Sequence, residues 1–541
     1  MRVHVEGGGT VALLPEAFVA AGGEAAVYAV GDTAYKVMTG PVDAARLRAL
    51  GALAVAGAAL PTALLRDDDG AVVGHTMRFL GRATPLARAL ARGWRERAGM
   101  GPSEAMAVVR RLRDRVAAVH RAGALVVDLH EGNVLLDDAW SPWLVDTSSW
   151  QLPGFPATAV QDGVRDPFAA GFDAGTDWFA FAVTTLHLLL GLHPYRGTHP
   201  TVTGLDARRR ARISVLDPAV KRPASSWPPS VLPPRWRDWY QAVLGGDHRG
   251  PPPPGDADAI GALPAPGAPG GALRRTLLLR APGPIRGVVA GDGAVSALLD
   301  DGAWVDERLT PLRADALAAG PDGRLLAARA DGGALRVREV ATGRDLPVTL
   351  ACDAVTAWGA GFLVRSGPRL LEVQVRAGVL VPRLLAAVAP HAIQLFDGLA
   401  VEDLLGAAHL RLLSPGRCET RRVPELDGWA VLDAHHAGGV AALVARRAGR
   451  TDRLVLRFGP RGHELRRDED VDGADLSLAA LPGGLAALRA DGALELFRAR
   501  PGDAEIRRIE DPALVGARLF PLDGGLGAVI GPSVYRLSLA P

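Results

Sequence analysis

Cysteine is scarce: Cys352 and Cys418 are the only two in 541 residues. Two thiols cannot build a disulfide framework, and theirs is not metal-ligand spacing, so a reducing cytosol is expected, with both as small buried hydrophobes. Net charge is scarce as well. Lysine plus arginine (61) balances aspartate plus glutamate (59), so no chain-wide basic field points to a specific nucleic acid or a membrane as partner. The opening MRVHVEGGGT lacks the apolar run of a secretory signal. Two apolar stretches, Ala49 to Leu65 with Pro61 inside and Trp178 to Tyr195 with His187 and His193, are short for a membrane span and read as buried helices. These absences predict a cytoplasmic protein. Turn formers are plentiful, with 65 Gly and 41 Pro, and the length favours two to four domains over one. The Ala-, Arg- and Gly-heavy composition suggests a GC-rich bacterial source.

Along the chain the apolar period changes twice. AAVYAV and TAYKVM alternate and meet at Gly31-Asp32, a hairpin dipeptide, so small strands come first. PVDAARLRAL and then SEAMAVVRRLRDRVAAVHRAG read as helices, the second capped by Ser103 and stopped by Gly123. NVLL and WLV read as short strands, and DWFAFAVTTLHLLLG as a long buried helix. Four prolines, Pro251 to Pro254, followed by LPAPGAPGG predict an extended linker over 249–272. Beyond it, seven units anchored on Gly293, Gly323, Gly361, Gly398, Gly439, Gly484 and Gly525 recur every 30 to 45 residues or about that, each a strand, a tight turn and a strand. Asp331-Gly332 and Asp491-Gly492 are two of the turns. One unit alone cannot bury both faces and a ring of seven can, so a seven-bladed β-propeller is expected over 273–541. GPDGRLLAARADGGALRVREVATGR resembles blades of the WD40 and related propeller families, without their tryptophan-aspartate signature. TLLLR at Thr276 is placed to complete the blade of the last strands.

Four segments in the first half carry chemistry. GGEAAVYAVGDTAYKV sets Gly22 and Gly23 in a turn, Val27 on the next strand and Lys36 on the one after. VVDLHEGNVLL sets Asp128 and Asn133 five apart, an acidic acceptor and a neutral oxygen ligand on one loop. In WLVDTSSWQL, Asp146 leaves an apolar strand thirteen residues after Asn133, and TDWFAFAVTTLHLLLGLHPYRG opens a helix with Asp177. In this order the segments resemble the protein-kinase superfamily. The resemblance implies a multidomain chain: an α+β bilobal kinase-like domain over 10–248, with an N-lobe to about 82 and a C-lobe from about 83, followed by the all-β propeller. It implies ATP and Mg2+ (or Mn2+) as cofactors, with Gly22, Gly23, Val27 and Lys36 around the nucleotide. Asn133 and Asp146 would hold the metal, Asp128 would serve as catalytic acceptor of the substrate hydroxyl proton, and Asp177 would brace the loop. A protein partner or substrate is expected on the propeller.

Departures from that pattern set the expectations apart. No glutamate occurs between Lys36 and Leu80 to pair with the lysine; Arg46 and Arg48 stand on the helix instead. Asp43, Glu24 or Asp146 alone must then hold Lys36. Val126-Val127 replaces the usual His-Arg, and Thr147-Ser148 the Phe-Gly of the D-F-G motif. RDPF stands where A-P-E is usual, so Asp166 is expected to pair with Arg249 as a structural contact. The RRRAR cluster at Arg208 to Arg212 reads as a solvated face, and His435 and His436 as surface or packing histidines. A Ser/Thr protein phosphotransferase leads these readings. A pseudokinase scaffold and a small-molecule phosphotransferase, the latter from the DLHEGN loop alone, are the alternatives.

Overall fold

The computed structural model describes residues 1–157, 160–255, 260–261, 273–291, 294–523 and 525–539. Gly293, one of the repeat anchors, and most of the expected linker lie outside them. The chain is multidomain, with an N-terminal α/β region and a C-terminal all-β region of small antiparallel sheets.

The α/β region opens with a seven-stranded sheet formed by β1 (Arg2–Val5), β2 (Thr10–Ala12), β3 (Phe18–Ala21), β4 (Ala25–Val30), β5 (Thr33–Met38), β6 (Ala63–Arg66) and β7 (Val72–Arg78). Its order is β2-β1-β6-β7-β5-β4-β3, so the sheet takes in residues before position 10. Gly31, at φ 60°, and Asp32 make the two-residue turn between β4 and β5. Helix α1 (Ala44–Gly51) starts at Asp43, whose carboxylate caps the amides of Ala45 and Arg46. The expected helix over Ala49 to Leu65 does not form: α1 stops at Gly51, and an irregular stretch containing Gly57 at φ 80° leads into β6. Val55 and Ala59 are buried there while Ala54 and Ala56 are exposed.

Three helices build the rest of the region that matters for the site: α2 (Arg92–Ala98), α3 (Pro102–Arg121) and α4 (Ala174–Leu190). The cap of α3 is Gly101, whose N–H donates to Glu104, and Ser103 lies inside the helix. Pro102 at the first helical position moves the start two residues earlier than a Ser103 cap would. Almost all of α4 is buried, including Asp177 at 0% exposure. Among the described residues no helix is long and apolar enough to cross a membrane. The RRRAR cluster is not a solvated face. Arg208 is 1% exposed and donates to the carbonyls of Arg196, Gly197 and Ile213.

The described residues of the all-β region form seven sheets, six of four strands and one of three. Leu273–Arg280, which contains TLLLR, pairs antiparallel with the last described strand, Ser533–Leu539. At the two joints made by the sheet of Ala430–Ala437, Val440–Arg447, Arg450–Gly459 and Gly462–Asp468, bonds recur at one sequence offset. Asp397 with His435, Glu425 with His463, Arg453 with Asp491 and Glu464 with Gly502 are each 38 residues apart. Equivalent positions therefore touch at these two successive joints, as in a repeat, while bonds at other joints span 41 to 44 residues. His435 is neither superficial nor simply packed: it is 3% exposed and faces the carboxylates of Asp397 and Asp433.

The two regions share one interior. An apolar cluster runs from Leu86, Leu90 and Trp94 to Leu432, Val440, Leu476 and Leu488. Helix α2 meets two of the seven sheets and loops of two more: Arg97 donates to Asp433 at 2.5 Å, Gly93 faces Leu476, Arg92 lies against Gly516, and Gly99 against Asp300. Asp433 has no exposed side-chain surface, so Arg97 neutralises a charge that water cannot reach.

Candidate functional site

Lys36 lies on β5 directly opposite Val27 on β4, so the two side chains share a face of the sheet. The ammonium is 7% exposed and bonds the Asp146 carboxylate and, at 2.8 Å, the Ser148 hydroxyl. Of the three candidates to hold Lys36, Asp146 does so. Asp43 is used instead as the α1 cap. Behind Lys36, His75 is 1% exposed; burial first, then the Lys36 charge, push its pKa down to about 4, so it is neutral.

Asp146 sits at φ 56°, in the left-handed region. Burial pushes its carboxyl up, and the Lys36 charge and hydrogen bond outweigh this, leaving the pKa lowered and the group ionised. The chain after it is gripped by Arg46 of α1. Its guanidinium donates to the carbonyls of Ser148 (2.9 Å), Trp150 (2.6 Å) and Pro156 (2.6 Å). An arginine thus stands where an acid for Lys36 was sought, and it serves the backbone following Asp146.

Asp128 and Asn133 meet on their loop, the Asn133 amide donating to the Asp128 carboxylate at 3.2 Å. Asp128 Oδ1 also accepts the Gln161 N–H at 2.7 Å, and its Oδ2 lies 3.5 Å from His130 Nε2. Burial raises the Asp128 pKa, but these partners hold it below the usual carboxylate range. Asp177 braces the loop from beneath, accepting the N–H groups of Val126 and Val127, both at 2.8 Å, and contacting His120. Val127 is thereby held at φ 63°, a costly conformation for a β-branched residue. Thr184 of α4 adds a bond to the Leu129 carbonyl.

Gly22 and Gly23 stand exposed at the β3–β4 turn, with open space where a Cβ would be and no positive φ. The backbone alone does not require glycine there. Asp166 and Arg249 form a two-pronged pair away from Lys36, with Arg249 Nη2 to Asp166 Oδ1 at 3.2 Å.

The donor set suits a hard cation shared with a phosphate ligand. No hydrogen bond from the described residues engages Asp146 Oδ2 or Asn133 Oδ1, leaving one carboxylate and one amide oxygen. Magnesium is commonly held by one or two such groups with substrate oxygens completing its shell. Among the described residues no three His, Cys, Asp or Glu side chains cluster to hold a metal unaided.

Reading the motifs by spacing missed Ser148, the grip of Arg46, His75 and Gln161. It also passed over a compositional signal. Lys36 is one of two lysines in the chain, with Lys221, and Asn133 is the sole asparagine. A chain that otherwise uses arginine for positive charge keeps a compact ammonium and an amide oxygen in the same site, where a guanidinium or a carboxylate would differ in geometry or charge. No protein-family model matches the chain, and no curated protein sequence matches it.

Proposed function

We propose that the chain is an ATP- and magnesium-dependent phosphotransferase of the protein-kinase type, acting on serine or threonine of a protein. The observation that carries this is the meeting of Lys36 with Asp146 and of Asp128 with Asn133, in a chain that has one asparagine and two lysines. Magnesium-bound ATP supplies the transferable phosphoryl group. Lys36 offers its ammonium to the phosphates, and Asp146 Oδ2 and Asn133 Oδ1 are the oxygens for the metal. Asp128, ionised, receives the acceptor hydroxyl proton on a carboxylate oxygen. The sheet order around Lys36 and the bracing of the loop by Asp177 support a kinase-like two-lobed domain. Seven sheets, the 38-residue joints and the pairing of the first strand with the last support a seven-bladed propeller. Its faces not covered by α2 are the surface for a protein partner, and the cytoplasm is the compartment that fits.

A second reading, a nucleotide-binding scaffold without turnover, is favoured by the Gln161 amide on Asp128 and by Arg46 in place of an acid. γ-Phosphate transfer to a generic basic protein, with Mg2+ and with Mn2+, separates them. Incorporation lost in both Lys36→Ala and Asp146→Asn supports the transferase. Nucleotide-induced thermal stabilisation with no incorporation in the wild type assigns the scaffold.

A further inference from the structure

Glu131 lies within the loop that carries Asp128 and Asn133 and is 5% exposed. A carboxylate so deep needs a cation, and the cation comes from the other region of the chain. Arg446, on the strand Val440–Arg447, places Nε 2.5 Å from Glu131 Oε1, and neither side chain is more than 10% exposed. The turn that follows, Ala448-Gly449, reaches the same site: a Cβ on Gly449 would lie 4.0 Å from the Gln161 side-chain nitrogen. Gln161 is the residue whose N–H binds Asp128.

The ties on the loop divide it in two. Its first half is held by α4, through Asp177 to Val126 and Val127 and Thr184 to Leu129. In the second half, Asn133 is tied by its carbonyl to the Val145 N–H, and the turn before it is held by Arg446 on the Glu131 side chain and by the Ala87 N–H on the Glu131 carbonyl. We propose that Arg446 is a positioning residue, supplied by the all-β region, that fixes the Asn133 half of the loop and makes that region part of the transfer site. This rests on the phosphotransferase reading for its catalytic consequence and on geometry alone for its effect on the loop. Without Arg446 the buried Glu131 carboxyl group loses the guanidinium beside it, and the loop must open to hydrate it.

The test compares Arg446→Met, Arg446→Lys and the paired neutral variant Glu131→Gln/Arg446→Met in the full chain. Amide hydrogen exchange of the segment 126–136 in Arg446→Met is expected to quicken about tenfold, with exchange in α3 unchanged. Transfer is expected to fall about tenfold in kcat at unchanged KM for ATP, because a displaced ligand loop costs rate through misplacement. Arg446→Lys restores part of both. The paired neutral variant regains the thermal midpoint, having no orphan charge, and keeps the low kcat. Loop exchange no faster in Arg446→Met than in wild type overturns the proposal, as does a paired variant that regains both midpoint and kcat. Wild-type protein without turnover defeats the transferase reading, and the exchange measurement then still decides the role of Arg446.

Discussion

In the all-β region, left-handed backbone at non-glycine residues falls chiefly in two-residue hairpin turns: Asp306-Glu307, Ala377-Gly378, Leu405-Gly406, Ala448-Gly449 and Asp491-Gly492, both residues of each at positive φ. That geometry matches the twist of paired strands, so the sheet itself selects it. In the α/β region the same conformation occurs at Val127, immediately before Asp128, and at Asp146 itself. No hairpin explains these two. Val127 is fixed by its own N–H bond and that of Val126 to a fully buried aspartate, and Asp146 by a buried lysine. Repetition places strain where it costs least, whereas the site places strain where distant side chains impose it.

The comparison fails if the two regions are separable bodies joined by a Pro-rich tether, and the joint at α2 is where to try breaking it. Removing Arg97 leaves Asp433 in the shared interior with His435 as its remaining partner. Arg97→Ala is expected to cost roughly 3–5 kcal/mol, the usual penalty for half of a buried ion pair. Urea unfolding followed by tryptophan fluorescence and by far-ultraviolet circular dichroism should give one shared transition, shifted in the variant. Two separate transitions in the wild type would show that the regions unfold on their own and that the shared cluster does not couple them.

Buried histidines sharpen the contrast through pH. His75 has a folded pKa lowered from 6.5 to about 4, by burial and then by Lys36. The unfolded state binds the proton first, so stability present above pH 6.5 is lost as pH falls toward 4, by up to about 3 kcal/mol. His435 has the opposite sign: burial lowers its pKa, but Asp433 and Asp397 outweigh this and raise it above 6.5. Its contribution is full below pH 6.5 and fades as pH rises through the folded pKa. Thermal midpoints between pH 4.5 and 8 should fall less steeply toward acid in His75→Gln than in wild type, and more steeply in His435→Gln. Parallel curves for the two variants would remove the distinction.

Legibility in the sequence follows the same division. Anchoring on glycine finds the central hairpins, such as Gly361–Ser366 with Arg369–Arg376 and Leu485–Ala490 with Ala493–Arg498, because their apolar residues and turn glycines are local. It misses the outer strands. Val379–Ala387 exposes Val379, Val381 and Leu384 and has no clean alternation. In the first half, Asp128, Asn133 and Asp146 stand out because their spacing matches the pattern on which the proposed chemistry rests. Arg46 on three carbonyls and Arg446 on Glu131 are not, since each partner lies 100 or more residues away and a lone arginine carries no period.

The smallest effect tests the comparison most directly, by relieving the same strain in both regions. Leu405 is 63% exposed at φ 56° in a hairpin turn, so its side chain contributes little burial. Leu405→Asn creates the Asn-Gly pair preferred in such turns and should stabilise by about 0.5–1 kcal/mol, part of the left-handed penalty. Val127 at φ 63° is 4% exposed. Val127→Gly relieves about 1–2 kcal/mol of strain but forfeits about 1.5–3 kcal/mol of burial and frees the loop before Asp128. It should therefore destabilise, by about 1 kcal/mol, and slow transfer. Chemical denaturation of the two variants reads both signs. Stabilisation by both would mean that Val127 is merely tolerated, and that Asp177 holds the loop whatever residue precedes Asp128.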